Sequence, residues 1–355
     1  MDELLAEYVA RIADAAAGGG KLAIRGGGSK RFYGGPESGD RLDLGAYRGI
    51  VAYEPSELVV TARAGTTLAE LDAALAEKGQ WLAFEPPHFG PTATVGGMLA
   101  AGLSGPRRAT VGALRDFVLG VRLLSGSGEV LSFGGQVMKN VAGYDVARLT
   151  AGSLGTLGVL LEVSLKVLPL PVAETTLRFA IGEAAALERL NQWGGKPLPI
   201  SASAWHDGVL TLRLSGAAAA VAAAQRLLAG EVVADAEAAT FWQSLREQTH
   251  EFFAGEAPLW RLSLPSVTPP QALGTTLIEW GGAQRWLRGG EPALIRAAAV
   301  RAGGHATLFR AEDALKASVG VFQPLSQPLA RIHRNLKRAF DPRGVFNPGR
   351  LYPDL

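Results

Sequence analysis

The chain has 355 residues, 48% of them hydrophobic, and a net charge of +2 from 35 basic and 33 acidic side chains. That length favours two domains, that composition excludes a disordered chain, and the lack of any charge block or basic stripe excludes nucleic acid as a partner. There is no cysteine, so disulfides, iron–sulfur clusters and thiolate metal sites are excluded within the chain, and the five histidines show no metal-ligand spacing, so no metal is expected.

The acidic start reads as an amphipathic helix to residue 17, not as an export signal, and no run reaches transmembrane length. The expectation is a cytoplasmic protein without direct membrane insertion; a peripheral place on the inner membrane through a partner stays open. Leu22-Ala23-Ile24 reads as a short buried strand that stops at Arg25-Gly26-Gly27-Gly28-Ser29-Lys30. Residues 51–53 and 59–62 read as strands. Thr67 then fits a helix N-cap, with Glu70 completing a capping box, Leu68, Leu71 and Leu75 at helical spacing, and Gly79 as the stop. Residues 86–108 are rich in glycine and proline around a short helical turn at 98–101, and 118–133 reads as a hairpin about Gly126-Ser127-Gly128. A short helix is expected at 144–149 and a long strand with alternating faces at 157–168.

Pro169 and Pro171 mark the expected boundary, dividing the chain into 1–170, 171–340 and a terminal segment 341–355. In the second part, strand signals at 175–181, 209–214, 260–264 and 277–280 alternate with helices at 183–192, 216–228, 292–302 and 325–340. That order predicts an antiparallel sheet covered by helices, and an α+β protein as a whole.

The chemistry is carried by three clusters of small residues. A pyrophosphate that leaves water is best received by backbone N–H groups converging from glycine-rich turns. Residues 25–30 offer such a turn with a hydroxyl and two cations, although the ordinary reading of a lone Gly-Gly-Gly is a surface turn. It is not a Rossmann fingerprint, because no helix starts after Ser29. The second cluster runs from Pro91 through Thr94-Val95-Gly96-Gly97 to Gly102-Leu103-Ser104-Gly105-Pro106-Arg107-Arg108, and the third is Gly152-Ser153-Leu154-Gly155-Thr156-Leu157-Gly158-Val159. Each alone has an ordinary reading as a tight contact or a turn; three separated by strands point to one large ligand.

In this order the segments resemble the FAD-binding domain of the vanillyl-alcohol oxidase/p-cresol methylhydroxylase (PCMH) type, over about 22–169 and more weakly at the end of the chain. Lys139-Asn140-Val141-Ala142-Gly143-Tyr144-Asp145, the Gly152–Gly158 string and Asp341-Pro342-Arg343-Gly344-Val345-Phe346-Asn347-Pro348-Gly349-Arg350 resemble the branch that oxidises 2-hydroxy acids. Gly102–Arg108 and Arg115-Asp116-Phe117-Val118-Leu119-Gly120-Val121-Arg122 resemble the FAD-binding subunits of bacterial glycolate oxidase. The resemblance implies a PCMH-type domain of two α/β subdomains followed by a smaller cap. It implies FAD as cofactor, with Arg25, Gly26, Gly27, Gly28, Ser29, Lys30, Pro91, Thr94, Val95, Gly96, Gly97, Gly102, Leu103, Ser104, Gly105, Arg107, Gly158, Val159 and Asn347 around it. Some members attach FAD through a histidine in the first loop; Ser29 and Lys30 stand there in this chain, so non-covalent FAD is expected.

Oxidation of a 2-hydroxy acid needs a base for the hydroxyl proton and a cation for the carboxylate. No histidine-rich cluster supplies them. His305 with Arg310 is the suggestive pair, although His305 also reads as a turn residue at a strand start; His333 reads as part of a solvated helix face and His88 as an ordered loop residue. Arg107-Arg108 reads equally as an anion-stabilising pair or a solvated one, and Trp280 and Trp286 as a partner surface or, more ordinarily, as core. Three readings follow. The chain is an FAD-carrying subunit of a glycolate oxidase, with a sister FAD-linked catalytic subunit and an iron–sulfur subunit as partners and a small 2-hydroxy acid as substrate. Alternatively it is a self-contained D-2-hydroxy acid dehydrogenase, or a non-catalytic scaffold ordered by FAD.

Overall fold

The computed structural model describes residues 3–135 and 144–355; Lys139 to Gly143 of the motif quoted above lie outside them. The first half contains α1 (Glu3–Gly18), β1 (Leu22–Arg25), β2 (Asp40–Asp43), β3 (Ile50–Glu54), β4 (Val59–Arg63), α2 (Leu68–Ala76), β5 (Gln80–Trp81), α3 (Val95–Ala101), α4 (Arg108–Val111), α5 (Leu114–Phe117), β6 (Val118–Leu124), β7 (Val130–Gly134), α6 (Val146–Leu149), β8 (Val159–Lys166) and β9 (Leu168–Pro169). The second half contains β10 (Ala173–Ala180), α7 (Glu183–Gly194), β11 (Ile200–His206), β12 (Val209–Gly216), α8 (Ala218–Leu228), β13 (Glu231–Val233), α9 (Asp235–Glu247), β14 (Leu259–Ser263), β15 (Thr276–Glu279), β16 (Gln284–Arg288), α10 (Pro292–Arg301), β17 (His305–Arg310), α11 (Asp313–Val319) and α12 (Gln327–Phe340). Mixed helices and antiparallel sheets make the protein α+β.

The capping box at the start of α2 forms: the Thr67 hydroxyl accepts from the Glu70 N–H at 3.1 Å, and the Glu70 carboxylate accepts from the Thr67 N–H at 2.9 Å. The helix lays Leu68, Leu71 and Leu75, all fully buried, on an antiparallel sheet of order β3-β4-β8-β6-β7. β8 alternates its faces as the sequence leads one to expect. It is the central strand and is buried on both faces, because Leu160, Val163 and Leu165 pack under α2 and α3 while Val159 and Leu161 pack under α1.

β1 and β2 form a parallel pair, and the chain end returns to β1 through a parallel bridge between Leu22 and Phe346. The second half builds one antiparallel sheet of order β13-β10-β12-β11-β15-β16-β14-β17. Its β14–β17 region has two distinct faces. Trp260, Leu262, Leu287, Ala306 and Leu308 pack with Ile295 and Ala299 of α10. Leu259, Leu277, Trp286 and Phe309 turn the other way and pack with Ala101, Leu103 and Leu154 of the first half. Helix α9 was not expected, although Ala238, Trp242 and Leu245 bury one side of it at helical spacing.

Candidate functional site

The end of β1, the turn after it, the start of α3, the 154–158 turn and the terminal segment converge on one cleft that is open to solvent. Arg25 through Lys30 line it, with Thr94, Gly96, Gly97, Gly155, Gly158 and Asn347 opposite. The backbone N–H groups of Gly26, Gly27, Gly28, Ser29 and Lys30 donate no hydrogen bond among the described residues. Five consecutive free donors, with Gly28 at φ +74°, form a concavity suited to an anion. Close approach fixes the loop. A Cβ on Gly27 would lie 1.4 Å from the Thr92 carbonyl oxygen, and the Thr92 hydroxyl donates to the Gly27 carbonyl at 2.7 Å.

Charge at the cleft is graded. Glu37 accepts from Arg25 at 2.5 Å and from Arg31 at 2.8 Å, and these two guanidiniums hold its carboxyl below the usual carboxylate range despite the opposing effect of burial. Lys30 has no carboxylate partner in direct contact among the described residues. It donates to the His88 carbonyl at 3.1 Å, and burial lowers its pKa to about 8 against a smaller opposing pull from Glu247. Asn347, at φ 43°, closes the far wall: its side chain accepts from the Ile24 N–H at 2.7 Å and donates to the Leu154 carbonyl at 2.6 Å.

Along 94% of its length this chain is 52% identical to the glycolate oxidase subunit GlcE of Escherichia coli (strain K12), covering 93% of that protein. The chain belongs to the family of this GlcE subunit. The GlcE relationship agrees with a match of residues 5–134 to the FAD binding domain model. The mitochondrial D-lactate dehydrogenase [cytochrome] of Arabidopsis thaliana is 32% identical over 38% of this chain and 24% of its own, and the glycolate oxidase subunit GlcD of Bacillus subtilis (strain 168) is 32% identical over 36% of this chain and 27% of its own. An alkyldihydroxyacetonephosphate synthase structure shares the fold, with TM-score 0.64 at 14% identity over 95% of this chain and 73% of that one. GlcE-family chains are thus FAD-dependent oxidoreductases of the PCMH-type fold, and this chain uses FAD.

The cleft fits that cofactor. Free amides and Lys30 suit a diphosphate, and the small residues of α3 and the 154–158 turn leave room for a planar group. When bound, FAD supplies a two-electron acceptor. The 26–30 turn would hold the diphosphate, and the walls built by Asn347 and Leu154 would exclude water from it.

Of the residues expected around FAD, Arg25 to Lys30, Thr94, Gly96, Gly97, Gly158 and Asn347 meet in the cleft. Val95 and Val159 are fully buried beneath it, and Pro91 and Gly102 do not line it. Leu103, Ser104 and Gly105 line a second, narrower pocket at the seam with the eight-stranded sheet. Arg107 turns into that seam. It donates to Glu174 at 2.6 Å and Ser215 at 3.0 Å, and its guanidinium stands over the Trp81 ring. Glu85, in turn, accepts from the Arg107 N–H and from Arg213, both at 2.8 Å. Arg108 stands over Trp280, whose indole donates to the Gly105 carbonyl.

His305 and Arg310 are not brought together. They occupy opposite ends of β17, roughly 16 Å apart along the strand. Arg310 stacks on Phe32 and Phe89, while burial and nearby Arg261 lower the pKa of His305, which lines neither pocket. Sequence reasoning missed Glu279. It is 4% exposed, and burial raises its pKa to about 7 although Trp286 and Gln284 donate to it at 2.6 and 3.0 Å. The one signal was a lone glutamate inside an apolar strand.

Two pH effects follow. FAD binding is expected to be strongest below about pH 8, where Lys30 is cationic, and to weaken by up to about tenfold per pH unit above it. Flavin fluorescence titrations at pH 7 and pH 9.5 measure this, and Lys30→Met should flatten the dependence. For Glu279 the folded pKa is raised from 4.5, so the stability it allows is full below pH 4.5 and falls as pH rises to about 7. The lost contribution is about 3 kcal/mol, from the 1.4 kcal/mol carried by each pK unit. The melting-temperature gap of Glu279→Gln over the parent should therefore widen from about pH 4.5 to about pH 7 and level off above that; a gap that stays constant from pH 4.5 to pH 7 would contradict this.

Proposed function

We propose that this chain is the FAD-carrying subunit of a multi-subunit glycolate dehydrogenase (oxidase), which converts glycolate to glyoxylate and sends the electrons to an iron–sulfur partner. The observation that carries the reading is near full-length likeness to the E. coli glycolate oxidase subunit GlcE, joined to a cleft whose free amides suit a diphosphate. Glycolate loses two electrons and two protons in becoming glyoxylate. The chain has no cysteine, so an iron–sulfur centre that takes those electrons belongs to another subunit. A sister FAD-linked subunit supplies the histidine-rich groups that this sequence lacks. The flavin is dissociable, because Ser29 and Lys30 occupy the loop where some relatives attach it.

The test is reconstitution. The chain alone with glycolate and an artificial acceptor is expected to turn over little or not at all, and addition of the FAD-linked and iron–sulfur subunits is expected to give full rate. Acid precipitation should release the flavin. Full turnover by the chain alone would overturn the subunit reading in favour of a self-contained D-2-hydroxy acid dehydrogenase.

A further inference from the structure

Helix α12 is docked with its polar side inward. Lys337 is the buried residue of the helix, while Leu329 and Ile332 are 49% and 51% exposed. The side that meets the protein carries His333, beside the Tyr352 ring at 5.8 Å, and Arg334, paired with Asp354 at 2.9 Å. It ends at Phe340, beside the Phe133 ring of β7 at 6.0 Å. An ordinary surface helix does the reverse, because burying the apolar stripe is favourable and charges keep their hydration. Lys337 holds the inversion in place through hydrogen bonds to Thr156, Asp341 and Phe346.

The outward stripe has a definite period. Leu329, Ile332, Leu336 and Ala339 are spaced three, four and three residues apart, the a and d positions of two successive heptads. Leu329, Ile332 and Ala339 are exposed, and Leu336 is half-buried. At 3.6 residues per turn the four directions fall within an arc of about 80°. A seam that narrow suits one partner helix, whereas a helix lying on a membrane carries a wider apolar face with Trp or Phe on it.

Charge selects the partner further. α12 contains no Asp or Glu. Arg331 and Arg338 stand on the open flank of the seam, and Arg343 lies in the turn after the helix. All three are exposed and have no carboxylate partner among the described residues; Asp341 and Asp354 are engaged by Lys337 and Arg334. A second copy of this helix would set arginine against arginine with no acid between them, so it does not fit.

We propose that the α12 seam is the docking surface for a partner subunit, which meets it with an amphipathic helix whose apolar stripe is edged by Asp and Glu. Leu329, Ile332 and Leu336 pack between the apolar side chains of that helix, and Arg331 and Arg338 meet its carboxylates. The inference rests on the reading of this chain as one subunit of a complex and adds where on the chain the complex is joined. The joint lies behind the cleft wall, because Lys337 of the same helix binds the Thr156 and Phe346 carbonyls.

The test is assembly of the FAD-loaded chain with the sister FAD-linked and iron–sulfur subunits, each alone and both together, read by sedimentation velocity and calorimetry. The parent is expected to bind at least one of them, more weakly as salt is raised. Ile332→Asp should weaken binding by about 30-fold or more, and Leu329→Ala by a smaller factor. Arg331→Glu combined with Arg338→Glu should weaken it by about tenfold or more and remove most of the salt dependence. Flavin content and melting temperature should stay parental, because none of these side chains is buried or lines the cleft. If Ile332→Asp loses flavin, the double arginine variant decides. Parent-like assembly by both Ile332→Asp and the double variant overturns the seam and leaves the proposed function standing. A parent that binds neither subunit overturns the seam and the subunit reading together. Dimerisation of the chain alone, or its binding to phosphatidylglycerol vesicles, that Ile332→Asp abolishes would assign the seam to a second copy or to a lipid surface, and either result overturns the proposal.

Discussion

Gly27→Ala is expected to purify nearly free of flavin, with FAD affinity reduced by about 100-fold or more, in line with several kcal/mol lost when a backbone cradle is displaced. The added Cβ would stand 1.4 Å from the Thr92 carbonyl oxygen, a backbone atom that cannot swing aside. Either the 26–30 turn or the 91–94 segment must move, and both line or border the cleft. The five free N–H groups then no longer converge. Gly28→Ala is the matched comparison. Its Cβ would meet only the Arg25 and Arg31 side chains at 3.8 Å, so the cost is the strain of φ +74°, about 1–2 kcal/mol, and affinity should fall by about tenfold. Flavin-to-protein absorbance and fluorescence titration measure both. A Gly27→Ala protein with full flavin content would show that this turn does not hold the diphosphate.

Lys337→Met is expected to destabilise the protein by about 3–5 kcal/mol, because removal of one member leaves a buried charge uncompensated. Lys337 Nζ donates to Asp341 at 2.8 Å, to the Thr156 carbonyl at 2.8 Å and to the Phe346 carbonyl at 2.7 Å. Burial lowers the lysine pKa, with Asp341 opposing that shift. Asp341 is 1% exposed and accepts from the Val345 and Phe346 N–H groups at 2.8 Å, which shapes the turn leading to Asn347. The pair therefore ties α12, the 154–158 turn and the chain end to the cleft wall. A fall of about 10 °C in melting temperature should be accompanied by weaker flavin retention. A shift below about 2 °C would mean that the ion pair contributes nothing net.

The cofactor and the fold class were legible in the sequence because a backbone cradle is local. Gly26 to Lys30 are contiguous, and the need for glycine is written into the chain wherever backbones touch. Gly96 meets Ala64, and Gly155 meets the Asn347 amide, at distances that admit no side chain. The helix start at Thr67 was equally readable, since both halves of its capping box lie within four residues. Long exact strings such as Gly102 to Arg108 carried the family likeness without any knowledge of where Arg107 points.

What the sequence alone could not place were side chains whose partners are remote. Arg107 meets Glu174, 67 residues on, and Glu85 meets Arg213, 128 residues away, so a dipeptide readable as solvated is part of a buried network. His305 and Arg310, close in sequence, are held apart by the extended strand between them, while Arg261, Glu279 and Gln248, far apart in sequence, line one pocket. Turn chemistry depends on neighbours along the chain and is fixed by local steric limits. Convergence across a sheet depends on strand order and register, which hydrophobic packing sets only when the whole chain folds.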